Sequence, residues 1–236
     1  MKHPLRHIPL IALMIGISSF VAFDGVEYVS SKKKPKYGID ISHHQGEIKW
    51  KQVPKDVQFV YIKATEGASL KDEKYKEYVK GAHDNGFKVG AYHFFRMTSG
   101  ARAQFKNFKS VAKKSDMDLI PMVDVETLDG RGSRALRDSL NVFIKLVRDY
   151  YGKAPMIYAP MGIYNGHLGE AFNRYHLYIG RYGPKGAAGS DPPVINGKGT
   201  YTIWQYSEKG SVAGIPKRVD LAKFNPKHNI YSISLR

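Results

Sequence analysis

The chain has 236 residues, 42% of them hydrophobic and 12% aromatic, enough for one sizeable packed domain and too apolar for a disordered chain. It contains no cysteine, which excludes disulfide staples, thiolate metal sites and thiol nucleophiles. Lys and Arg outnumber Asp and Glu by 37 to 21, for a formal charge of +16, a field that draws the protein toward an anionic polymer or surface.

In chain order, a basic start, Met1 to His7, precedes an apolar run from Ile8 to Phe23. A basic n-region followed by an h-region of this length is an export signal, and the run is short for a full membrane span, which takes roughly 20 residues. Two fates follow for the segment: a cleaved signal peptide, with Val29-Ser30-Ser31 as the best junction, or a retained membrane anchor. Residues 1–36 are therefore expected to be signal or anchor plus a basic linker, Lys32 to Lys36, and residues 37–236 a single folded domain. The predicted location is periplasmic or extracellular.

Tyr37 to Ser42 reads as a first strand ending in the turn His43-His44-Gln45-Gly46, and Gln58 to Ala64 as a second, followed by Thr65-Glu66-Gly67. A charged helix from Asp72 to Asn85 stops at Gly86, as helix C-termini commonly do. A third strand, Lys88 to Phe95, leads to a helix over Ala101 to Lys114. The fourth strand, Pro121 to Thr127, carries Asp124 and Glu126. Leu136, Leu140, Phe143, Ile144 and Val147 recur at helical spacing, predicting a helix from Ser133 to Tyr151. Strands over Pro155 to Ala159 and His176 to Arg181 flank a short helix near Gly162 to Phe172. A Gly- and Pro-rich loop, Gly183 to Gly199, then precedes strands Tyr201 to Tyr206 and Val219 to Phe224. Apolar strands alternating with helices predict a parallel sheet with helices outside, here an irregular, flattened (β/α) barrel of the α/β class whose later crossovers are too short for full helices.

In such barrels the reactive groups gather at the C-terminal strand ends. Those ends deliver Asp40 with Gln45, Lys63 with Glu66, Tyr92, Asp124 with Glu126, Tyr158, Arg181, Trp204 with Gln205, and Asp220. Residues i and i+2 of a strand face the same way, so Asp124 and Glu126 form an acid pair, each raising the other's pKa. One carboxyl can then hold a proton while its neighbour stays ionised, as glycosidic cleavage requires. A plain strand end with two solvated acids is the competing reading of this stretch alone.

Five segments occur together in order: Tyr37 to Gly46, Phe59 to Gly67, Gly90-Ala91-Tyr92-His93-Phe94, Met122-Val123-Asp124-Val125-Glu126 and Ile203-Trp204-Gln205-Tyr206. In these the sequence resembles glycoside hydrolase family 25, the N-acetylmuramidase lysozymes, from about Tyr37 to Phe224. The resemblance implies a flattened barrel and hydrolysis of the β-1,4 bond between N-acetylmuramic acid and N-acetylglucosamine in peptidoglycan, with no cofactor or metal. It makes Glu126 the general acid and gives Asp124 the substrate's 2-acetamido group, with Asp40 and Asp220 shaping the charge around them. Tyr92, Trp204, Gln205, Tyr158, Arg181 and Gln45 would hold the sugars. One departure is Ala222, where the family often carries Asn shortly after the last acid, leaving Asn225 as a poor substitute.

Peptidoglycan strands and the anionic wall or membrane surface are thus the expected partners of a monomeric chain. No nucleic-acid partner is expected, because no base-reading element accompanies the charge. Two rivals remain. A non-catalytic cationic wall-binding protein would have no use for an acid pair. A metal-dependent polysaccharide deacetylase would use His43, His44 and His93 with Asp40, although neighbouring histidines of an extended chain face opposite ways. Lys63 and Glu66 read as a structural ion pair.

Overall fold

Alternate residues of the strands meet in the interior of a closed barrel, and that parity decides which side chains reach the site. The computed structural model describes residues 36–183 and 191–236. The signal or anchor expected in residues 1–35 lies outside the described residues, as does part of the loop predicted over Gly183 to Gly199. Among the described residues no helix is long and apolar enough to cross a membrane.

The strands are β1 (Tyr37–Ile41), β2 (Val57–Glu66), β3 (Leu70–Lys71), β4 (Lys88–Phe94), β5 (Met122–Asp124), β6 (Met156–Pro160), β7 (Leu177–Gly180), β8 (Ile203–Gly210) and β9 (Val219–Phe224). Between them run the helices α1 (Tyr75–Asp84), α2 (Ala101–Val111) and α3 (Ser133–Tyr151). Hydrogen bonding follows the order β1-β9-β8-β7-β6-β5-β4-β2, and a further β1–β2 pairing closes the ring at eight strands. The two-residue β3 hangs on the edge of β2 as a hairpin.

Seven of the eight barrel strands run in parallel. The exception is β9, which is antiparallel to both β8 and β1. Its start, not its end, therefore lies at the cleft mouth, so Asp220 sits opposite Asp40 in register. Asp220 is thus at the mouth not as one more parallel strand end, as the strand pattern predicts, but because a β8–β9 hairpin delivers it.

Helices α2 and α3 cover the outer face. The α3 stripe of Leu136, Leu140, Phe143, Ile144 and Val147 is almost fully buried, and the helix ends at Gly152 with φ +89, a left-handed conformation that glycine adopts without strain. Helix α1 is shorter than predicted, because Asp72 is used instead to accept hydrogen bonds from the Lys74 and His43 backbone N–H groups. Inside the barrel, Gly38 and Gly90 leave room for the rings of Phe59 and Tyr61. A Cβ at Gly38 would lie 2.0 Å from Phe59, and one at Gly90 would lie 2.2 Å from Tyr61.

Between β6 and β7 there is a turn of helix, Met161–Ile163, continuing through a wider turn, Tyr164–Leu168, and then a short 3-10 turn, Glu170–Phe172. The barrel is irregular on this side, as the short crossover predicts. Strand β5 is three residues long and stops at Asp124, so Glu126 lies just past the strand. Backbone bonds from Phe95 N to Asp124 O (2.8 Å) and from Val125 N to Tyr158 O (2.9 Å) still hold this stretch extended toward the mouth.

Candidate active site

The carboxyl ends of the parallel strands open into a cleft of about 270 Å³. Its walls carry Asp40, Gln45, Lys63, Tyr92, Asp124, Glu126, Tyr158, Gln205 and Asp220, with Ser42, His44 and Phe94 at the edges. Four acids thus face one lysine in a protein whose overall charge is strongly positive.

Asp40 is the most tightly held acid. It is 6% exposed, and its Oδ2 accepts hydrogen bonds from Tyr178 Oη (2.5 Å) and Gln205 Nε2 (2.9 Å). Gln205 is fixed in turn because its Oε1 accepts from Tyr158 (2.7 Å) and from Tyr182. Desolvation and the facing Asp220 push the Asp40 pKa up to about 8, against the opposing pull of the Tyr178 and Gln205 hydrogen bonds. Its other oxygen, Oδ1, is buried without a partner.

Asp124 is also 6% exposed and carries an unpartnered Oδ1. Burial, then the charges of Glu126 and Asp40, lift its pKa well above the carboxylate range, while Lys63 pulls it down. Glu126 keeps contact with solvent at the rim. Crowding by its neighbours still desolvates it enough to raise its pKa, again opposed by Lys63. Asp220 is raised to about 7 by desolvation, Glu126 and the hairpin residue Glu208. Burial and mutual repulsion raise the pKa of all four carboxyls, so the cleft holds its protons to higher pH than free acids do.

Lys63, only 7% exposed, donates to Glu66 Oε2 at 2.7 Å while its ammonium faces the acids. The expected ion pair is present, and the same lysine is a cleft residue. Arg96 extends this network, 3.7 Å from Glu66 and 3.0 Å from Asp129. Asp129 accepts from Met97 N at 2.7 Å, and it tethers the loop that follows Glu126.

This arrangement coincides with a family match: the model of the glycosyl hydrolases family 25 fits residues 39–215. The chain belongs to family 25. It is 32% identical to the uncharacterized protein YegX of Escherichia coli K12 over 195 residues, covering 80% of this chain and 69% of that one. Against Lysozyme M1 of Streptomyces globisporus it is 31% identical over 202 residues, covering 80% and 67%. Among solved structures, the bacterial lysozyme of Streptomyces coelicolor superposes with a TM-score of 0.72 at 30% identity, over 82% of this chain and 93% of that one. The family 25 chain is a glycoside hydrolase built on the expected irregular barrel.

Eight of the ten site residues expected in this family 25 hydrolase line the cleft: Asp40, Gln45, Tyr92, Asp124, Glu126, Tyr158, Gln205 and Asp220. Trp204 and Arg181 do not. Gln205 points inward, so Trp204, its neighbour on β8, points outward. There it is 3% exposed, donates from Nε1 to Arg181 O (2.8 Å) and lies under the Lys223 ammonium. Arg181 follows the inward Gly180 and likewise turns out, donating to Pro192 O at 2.6 Å. Tyr182, one residue on, is the side chain that reaches inward. His93 sits on the outer face, stacked 4.9 Å from Phe143, with its ring nitrogens 2.8 Å from Thr65 Oγ1 and 3.0 Å from Gln104 Oε1. It is therefore separated by the sheet from the cleft that holds His44 and Asp40, and burial drives its pKa down to about 4.

Proposed function

We propose that this family 25 hydrolase is an exported muramidase that cleaves the β-1,4 bond between N-acetylmuramic acid and N-acetylglucosamine of peptidoglycan. The carrying observation is the unequal acid pair, with Asp124 buried and one oxygen unpartnered beside a solvent-touching Glu126.

Glu126 is the general acid. Burial raises its pKa, so it holds its proton to higher pH than a free glutamate does, and contact with water lets it reload between turnovers. Its O–H bond breaks as the proton passes to the glycosidic oxygen and the bond from that oxygen to the anomeric carbon opens. Asp124 serves the 2-acetamido group. A buried carboxyl oxygen without a donor costs about 1–3 kcal/mol, and the acetamido N–H supplies that donor while turning the acetamido oxygen toward the anomeric carbon. Attack by that oxygen closes an oxazolinium ring. Water then adds at the same carbon as its bond to the acetamido oxygen breaks, which restores the acetamido group, and the water's proton passes to the Glu126 carboxylate, restoring the acid. Tyr92, Gln205, Tyr158 and Gln45 line the sugar path, and Asp40 and Asp220 tune the charge around the pair.

Purified peptidoglycan treated with the protein should release fragments with reducing N-acetylmuramic acid ends, seen by mass spectrometry, and Glu126→Gln should lose this activity while still folding and binding wall. Wild-type protein that binds wall and frees no such ends would establish the non-catalytic rival. NMR of the fresh product separates the routes, since the substrate-assisted path gives the β-anomer first and direct attack by water gives the α-anomer.

A further inference from the structure

At the opposite end of the barrel, where β5, β6 and β7 begin, lies a second cavity of about 390 Å³ that the chemistry of the cleft does not use. Its walls hold Arg148 from the end of α3, Lys153 from the α3–β6 turn, Arg174 and His176 from the approach to β7, and Ser232 and Ser234 from the C-terminal segment. None of its lining residues is acidic. A further cation borders it, for the Lys114 ammonium comes within 3.7 Å of where a Gly152 Cβ would sit.

These cations are only lightly engaged. Lys153 gives one bond to Ser234 O (2.7 Å) and Arg174 gives one to Tyr175 Oη (3.1 Å). Arg148 Nε lies 3.9 Å from Asp149, whose carboxylate is taken at 2.5 Å by Lys145. The negative end of the α3 dipole accounts for Arg148. It does not account for Arg174 and His176, which arrive from another element. Desolvation lowers the His176 pKa, with smaller contributions from His228 and Lys153.

We infer that this basic cavity is a binding site for a phosphate group. Three cations converging from separate elements exceed what one carboxylate balances. A phosphate offers several acceptor oxygens, and the guanidinium forks of Arg148 and Arg174 match them in pairs. The placement also suits the charge of the whole molecule: an acidic cleft at one end and a phosphate-holding end at the other let the protein stay on a phosphate-bearing polymer or surface while the cleft remains open. The site is independent of which group acts as general acid.

The test compares the full protein with two triple variants. Arg148→Gln/Lys153→Gln/Arg174→Gln strips the cavity, and Lys51→Gln/Lys76→Gln/Lys106→Gln removes three other exposed charges, so net charge is matched. Binding is measured by calorimetry to inorganic phosphate and to a glycerol-phosphate oligomer, with acetate at equal ionic strength as reference, and by sedimentation with phosphatidylglycerol vesicles. The cavity variant should bind the phosphate probes about tenfold or more weakly while the control variant stays within a factor of about two, both keeping the wild-type melting temperature. Loss on the oligomer alone identifies a polymer source, loss on vesicles alone a lipid headgroup, and loss on inorganic phosphate free phosphate. Equal losses in both variants, or wild-type binding of phosphate no tighter than acetate, would overturn the site. Hydrolysis of a short soluble glycan, measured in parallel, separates this outcome from failure of the muramidase assignment.

Discussion

Replacing Asp40 by Asn tests the charge structure of the cleft through stability alone. The folded chain holds the Asp40 proton up to about pH 8, whereas the unfolded chain releases it near the ordinary aspartate value of 3.8. Between these limits the native state binds the extra proton, so stability falls as pH rises. At about 1.4 kcal/mol per unit over roughly four units, ionising Asp40 costs on the order of 5 kcal/mol above pH 8. The amide of Asp40→Asn stays neutral. Its oxygen keeps the bonds from Tyr178 and Gln205, and its NH₂ replaces the oxygen that lacks a partner. Urea unfolding between about pH 4.5 and 8.5 should show wild type and variant nearly equal at the acid end and the variant more stable by several kcal/mol at the alkaline end. The other cleft acids contribute to both proteins and largely cancel in the difference. Parallel stability curves across this range would refute the buried-proton account of Asp40.

Lys63→Met removes the one cation that lowers the pKa of both Asp124 and Glu126. Both limbs of the pH–rate profile should move to higher pH, and an unmoved profile would show that Lys63 serves Glu66 alone. Trp204→Phe loses the indole bond to Arg181 O outside the barrel, so unfolding should become easier by about 1–2 kcal/mol with KM for a soluble glycan unchanged; a raised KM at wild-type stability would return Trp204 to the sugar path.

Hydrophobic periodicity made the strands and α3 legible because burial on one side leaves a period of two or 3.6 residues in the sequence. Which face of a strand turns inward is set by its neighbours, and that information is not local. Trp204 and Gln205 are adjacent on β8, so no extended chain could present both to one cleft. Parity anchored on any inward residue would have chosen Gln205, and the same rule would have preferred Tyr182 to Arg181. The antiparallel course of β9 was hidden for a different reason, since strand direction depends on the hairpin leading into it. Lys63 was visible as an ion pair, but its second role depends on acids some sixty residues away in sequence, and only the closed barrel brings them together.

That closure has a consequence for how the chain matures. Strand β1 finds its parallel partner β2 early, but its other edge pairs with β9, and the contact joins Gly38 to Ala222 and Asp40 to Asp220. During synthesis the first strand of the domain must wait with one row of backbone groups unpaired until β9 emerges. Contacts so distant in sequence make for slow folding, and an open strand edge invites pairing with other chains. Assembly of the acid cluster therefore coincides with the final step of folding, and a chain shortened before β9 would lack both the acid at position 220 and the strand that seals the barrel.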